Sequence, residues 1–211
     1  MTAFKSLGIL LALLLTLHLP SAMAAKSLVV WVYAHDDLAD ISDAQLNKDY
    51  FQHWIDEMRL ITNRPIEVIF ERNVPGITDI NYSSMSGASV LAMFSSESSD
   101  IDHQRERSPS YLNKSILLTK EPYEQSESGL LVGLAYFKQN TAIASLRTFV
   151  APAHELGHLF SATHDDAEVS FNGWFCETYT YEARLSLRSN CYRYSDKNRQ
   201  NITDYINANA H

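Results

Sequence analysis

One stretch, HELGHLFSATHDD at residues 154–166, constrains the fold more than any other part of the chain. In an α-helix, positions i and i+4 lie one above the other on the same face, so His154 and His158 can aim imidazole nitrogens at one point. Glu155 sits beside the first of them. His164 comes six residues after His158, and a helix continued that far would rotate it off the shared face. The chain must therefore turn away after about Phe160. Pro152 falls where a helix tolerates proline, at its first turn. The stretch asks for a helix with a sharp end and a scaffold that returns the next loop to the helix face.

Zinc accepts imidazole nitrogens at about 2.0–2.1 Å, and a catalytic zinc keeps three protein ligands plus an open position for water. The helix supplies two ligands, His154 and His158, and His164 is the candidate third. Glu155 can reach the water rather than the metal. A carboxylate there can take a proton as the water attacks a carbonyl, then pass it to the leaving amine. The competing interpretation is a surface helix with three ordinary histidines. His35, His53, His103 and His211 lack ligand spacing and read as structural or surface residues. Imidazole sites also accept other divalent ions.

The chain begins with a basic MTAFKS, an apolar LGILLALLLTLHLP and a small-residue SAMAA, the order of a secretory signal with cleavage after Ala24. An uncleaved membrane anchor is the alternative, but the apolar run is short and is interrupted by His18 and Pro20. Residues 25–211 then form one domain of 187 residues, enough for a substantial core, in a secreted or periplasmic setting. The signal carries one lysine and no acid, so its removal takes the net charge from −8 to −9. So acidic a chain excludes nucleic acid as a natural partner, since phosphate contact needs clustered Lys and Arg. RERS at 105–108 reads as a solvated loop, and no membrane partner is expected. Only Cys176 and Cys191 are present. In an oxidising compartment they are expected to pair, closing a loop of about 15 residues worth about 3 kcal/mol; the alternative is two free thiols.

The hydrophobic pattern supplies the scaffold. SLVVWVY (27–33) reads as a strand. In residues 40–63, Leu46, Tyr50, Phe51, Trp54, Ile55, Met58 and Ile61 recur at helical spacing, and PIEVIFE (65–71) then alternates as a second strand. The Ser-rich stretch that follows holds a short helix near 86–95. KSILLT (114–119), LLVGLAYFK (130–138) and TAIASLR (141–147) read as three more strands, the last two joined by a turn at Gln139 and Asn140. PAHELGHLFSA is the second main helix, and DKNRQNITDYINANA (196–210) a final short one. This is an α/β (α+β) layout: one mixed five-stranded sheet, two main helices and a C-terminal helix.

HELGHLFSATHD resembles the extended motif H-E-x-x-H-x-x-G-x-x-H-D of the metzincin metallopeptidases, particularly the adamalysin (reprolysin) branch. GLAYF ahead of TAIAS is similar to the edge strand and following strand of that family. The element order matches over most of the domain, the specific motif only over 130–165. The resemblance implies one zinc ion held by His154, His158 and His164, with Glu155 as general base and Asp165 as a structural residue beneath the site. It also implies a peptide or protein substrate laid antiparallel along the edge strand near 132–137, using unpaired backbone groups.

Two departures from the family stand out. Ser161 occupies the usual glycine, where a left-handed turn would cost serine roughly 1 kcal/mol. No methionine follows Met93, so the methionine turn of the family has no counterpart. Tyr181 or Leu185 could fill that apolar space, and a tyrosine (Tyr179, Tyr181 or Tyr192) could donate to a developing oxyanion. The expectation is a secreted zinc endopeptidase, made ready after export or restrained by a separate inhibitor or partner protein. The alternatives are a protease dedicated to one partner protein and a non-catalytic peptide-binding module, which would have no need of Glu155.

Overall fold

The structure is a computed structural model that describes residues 26–126, 129–182 and 185–210; the export signal expected at 1–24 lies outside them. The elements in chain order are β1 (Leu28–Ala34), α1 (Asp43–Leu46) leading through a π-helical turn (Asn47–Phe51) into α2 (Gln52–Ile61), β2 (Ile66–Glu71), α3 (Gly87–Gln104), β3 (Asn113–Thr119), β4 (Glu124–Ser126), β5 (Gly129–Leu131), β6 (Gly133–Ala135), β7 (Thr141–Ser145), α4 (Ala151–Leu159), β8 (Val169–Phe171), β9 (Phe175–Glu177), β10 (Ser189–Asn190) and α5 (Asp196–Ala208).

The apolar strands assemble into the expected five-stranded mixed sheet, in the order β2-β1-β3-β7-β6. The first four are parallel and β6 runs antiparallel to β7 at the edge. Parallel strands are covered on both faces, and β1 and β3 are accordingly buried along most of their length. Leu28, Val30 and Val32 face a core shared with Trp54 and Met58 of α2, Leu156 and Leu159 of α4 and Ile202 and Ile206 of α5. Tyr33 and Leu117 face the opposite side, against Val90, Leu91 and Phe94 of α3.

Three expectations change. The helix near 86–95 extends to Gln104 and becomes the longest in the molecule's described part, 18 residues. Ser86 caps it by accepting from the Ser89 N–H, and most of the serines lie along its solvent side. The run 130–138 is not one strand. Its first part pairs with β4 in a hairpin and its second part with β7, the break falling at Val132. Nor is RERS simply solvated. Arg107 is nearly buried, donates to Glu71 and Asp102, and lies 3.4 Å over the Trp31 ring.

Three polar ties hold α4 and α5 where the site needs them. The Tyr194 hydroxyl accepts from Trp54 Nε1 (3.1 Å) and donates to the Ala153 carbonyl (2.6 Å). Gly157 makes room for that ring, since a Cβ there would stand 2.6 Å from Tyr194 Cε1. The buried Glu57 carboxylate takes a two-pronged pair from Arg199 (2.8 and 2.6 Å) and the Tyr194 N–H (2.9 Å), joining α2 to α5. Lys114, fully buried on β3, donates to Gln139 O, Asn140 Oδ1 and the Tyr205 hydroxyl. Burial pushes its pKa down to about 7.

Candidate metal centre

Helix α4 ends as the histidine spacing requires. Ser161 is left-handed at φ 82°, the Ser161 N–H bonds His158 O (3.2 Å) and the Ala162 N–H bonds Gly157 O (2.8 Å). This is a Schellman ending with serine in the place glycine usually takes. It reverses the chain within two residues and delivers His164 back to the helix. It also turns the Ala162 carbonyl onto His158, whose Nδ1 lies 2.8 Å away.

The three imidazoles converge through their Nε2 atoms. His154 and His164 are 2.9 Å apart there, and His158 stands 3.0 Å from each. Two of the rings have no tautomeric choice. His154 Nδ1 lies 2.8 Å from the Tyr179 carbonyl and His158 Nδ1 2.8 Å from that of Ala162, so each Nδ1 must carry hydrogen and each Nε2 must present a lone pair. Lone pairs 3.0 Å apart repel unless a cation or proton lies between them. Burial also lowers the His158 pKa below its ordinary value, favouring the neutral ligand form. Two nitrogens bound to one zinc at about 2.0–2.1 Å stand no more than about 4 Å apart. The donor set therefore fits a single zinc ion, and it is the one group of potential ligands found among the described residues. Glu182 lies 3.8 Å from the outer Nδ1 of the exposed His164.

Glu155 is buried on the same helix, and burial raises its pKa to about 8. Its carboxylate fits against β6 only because residue 133 is glycine: a Cβ there would stand 2.4 Å from Glu155 Oε1. Both line an open cleft of about 1110 Å³, together with the three histidines, residues 129–135, Asp165 and Tyr181. In the β6–β7 ladder the bonded pairs include Val132 with Ser145 and Tyr136 with Thr141. Gly133 and Ala135 consequently turn their N–H and C=O groups to the outer edge, along the cleft.

The ground beneath the imidazoles differs from expectation. The turn Thr178–Tyr181, closed by the Tyr181 N–H to Thr178 O (3.0 Å), presents its buried residues Tyr179 and Thr180 to the site. Leu185 is 53% exposed and Tyr181 half-buried on the cleft wall, so neither fills the space expected of it. The sequence offers Tyr179 only as an oxyanion donor, yet its hydroxyl is held 2.7 Å from His53 Nδ1 and its carbonyl lies 2.8 Å from His154 Nδ1. Asp165 is exposed at the cleft rim. The anchoring carboxylate is that of the next residue, Asp166, which accepts from Asn201 Nδ2 (2.7 Å) and Thr163 Oγ1 (3.2 Å). Cys176 and Cys191 form the expected disulfide, with Cα atoms 5.0 Å apart. It closes the segment that carries this turn.

No family model matches the chain, and no curated protein does. Among solved structures it is similar to metalloproteinase-II from Bacteroides fragilis, with a TM-score of 0.63 and 16% identity over 87% of this chain and 55% of that one. It is also similar to a zinc-dependent peptidase from Methanocorpusculum labreanum (strain Z), with a TM-score of 0.49 and 17% identity over 82% of this chain and 99% of that one. The chain thus spans about half the length of the Bacteroides protein. What it shares with that protein is the fold, and the fold is one that a metalloproteinase uses.

Proposed function

We propose that the chain is a zinc-dependent endopeptidase of metzincin type, exported by its N-terminal signal to the cell exterior or periplasm. One observation carries the reading. Three Nε2 atoms converge within 2.9–3.0 Å, two of them fixed as lone pairs by backbone carbonyls, beside a buried glutamate in an open cleft.

His154, His158 and His164 would hold the ion. Zinc in such a site supplies Lewis acidity, polarising a carbonyl and bringing the pKa of water to about 7. The protein's own part is positioning and proton handling. The outward backbone groups of Gly133 and Ala135 receive an extended peptide as an added antiparallel strand. Glu155 accepts a proton on its carboxylate and returns it to the departing amine. Its burial against Gly133 keeps the carboxylate from swinging into bulk water. The adamalysin-like branch is the finer reading, supported by the motif HELGHLFSATHD, with Ser161 and the Tyr179–Thr180 turn in place of the family's glycine and methionine. Restraint by a separate inhibitor protein belongs to the same proposal.

The test is a mass-spectrometric cleavage profile on a diverse peptide pool, comparing zinc-loaded chain 25–211 with its Glu155→Ala variant. Cuts made by the parent and missing with the variant support the proposal and give the preferred sequence. If neither cuts, general endopeptidase activity is refuted, leaving a protease for one partner protein or a peptide-binding module.

A further inference from the structure

We infer that Asn198, on a helix outside the histidine motif, is a positioning residue that locks together the two loops aiming the ligands. The inference rests on reading the three histidines as metal ligands. Asn198 is fully buried. Its Oδ1 accepts from the Thr163 N–H (2.8 Å), and its Nδ2 donates to the Thr163 carbonyl (2.9 Å) and to Thr180 Oγ1 (2.9 Å). Thr163 immediately precedes His164. Thr180 lies in the turn whose Tyr179 carbonyl holds His154.

One amide thus clasps both backbone groups of the loop that presents the third ligand and ties that loop to the turn orienting the first. It does so without freedom to adapt. Its orientation is set by a neighbour on each side, since Asn201 Nδ2 also reaches its Oδ1 at 3.4 Å. Its backbone is fixed as well, because the Asn198 N–H bonds the Ser195 hydroxyl, which in turn donates to the Asp166 carbonyl. The loop 163–166 is therefore held at both ends by the first turn of α5. His164 needs such support. It is the exposed ligand, carried on a loop rather than a helix, and it follows a left-handed serine. Groups that orient ligands from behind set how well a site grips its ion.

Three variants of the full chain test this. Asn198→Asp keeps the acceptor for the Thr163 N–H and loses both donors. Thr180→Val cuts only the tie to the turn. Ile202→Val is a buried core change on the same helix that removes no hydrogen bond to either loop. Zinc and cobalt(II) affinities are measured by chelator competition, the cobalt d–d band reports ligand geometry, and urea denaturation of the metal-free proteins gives stability. The expected outcome is roughly tenfold weaker cobalt binding with an altered band for Asn198→Asp, and a smaller loss for Thr180→Val. Ile202→Val should lose stability with affinity and band unchanged.

A folded Asn198→Asp that binds within about twofold of the parent, with the same band, overturns the inference. So does an Ile202→Val that weakens binding as much as Asn198→Asp at matched stability. Should Asn198→Asp fail to fold, unchanged affinity in Thr180→Val overturns it instead. A parent that takes up neither ion removes the three-histidine reading itself, and the inference with it; a parent that binds while the variants bind equally removes only the inference.

Discussion

Replacing Gly133 with alanine tests the proposed chemistry at its narrowest point. The new methyl carbon would stand 2.4 Å from Glu155 Oε1 and 2.7 Å from its Cδ and Cγ, where ordinary contact begins at 3.4 Å. The carboxylate must therefore retreat by about 1 Å, and as the end of a flexible side chain it can do so without disturbing α4. A shift of about 1 Å in a catalytic group costs on the order of 10²-fold in rate, about 2.7 kcal/mol of barrier. The atoms nearest the new methyl carbon all belong to Glu155 and none to a histidine, so metal content and affinity should stay at parental values. Thermal unfolding should move by only a few degrees at most. The assay is kcat/KM on the best peptide from the cleavage profile, with metal content measured on the same preparation. A Gly133→Ala variant within about threefold of parental kcat/KM would refute the reasoning that this contact sets the position of Glu155. Lost metal would refute it differently, by showing that the edge strand supports the ligands.

Three further outcomes are expected. His158→Ala should reduce bound zinc from roughly one per chain to none, as measured by elemental analysis after dialysis; full occupancy would mean the ion sits elsewhere. Cys176→Ala/Cys191→Ala should lose about 3 kcal/mol of stability in urea denaturation, and a loss below about 1 kcal/mol would contradict the loop-closure account. His53 supplies a pH dependence, because burial lowers its pKa from 6.5 to about 4. The unfolded chain then binds more protons between those values, so the His53 contribution to stability is present above about pH 6.5 and is lost as pH falls towards 4. With the ring partly exposed, the change should be on the order of 1–2 kcal/mol. The metal-free His53→Phe variant, followed by urea denaturation across that range, should show a flatter profile than the parent; an equally steep one would assign the effect to other groups.

Much of this architecture was legible in residue order. The central strands announced themselves through continuous apolar runs, and α4 through paired histidines and its early proline. The turn after Phe160 followed from helix geometry alone, and the structure resolves it with Ser161 in the left-handed region. Less visible were features decided by distant partners. Serines 95, 96, 98 and 99 masked the second half of α3, whose apolar side shows only once the sheet is there to receive it. The break at Val132 depends on β4 competing with β7 for the same run. Asp165 and Asp166 are indistinguishable by spacing, and only Asn201 and Thr163 select the second. Tyr179 contributes through its backbone carbonyl, which no side-chain pattern can advertise.

The three histidines themselves span eleven residues, but the groups that orient them do not. His154 depends on a carbonyl 25 positions away, and Thr163 on an amide 35 positions away. Contacts of such sequence separation close late, because loop entropy must be overcome before they give any return. A nascent chain therefore has the histidines long before it has the site, and the ion cannot serve as a folding nucleus. Its influence falls on the other side of the barrier. An ion that binds only the finished structure slows escape from it, so zinc should lengthen the lifetime of the native state while leaving the folding rate almost untouched.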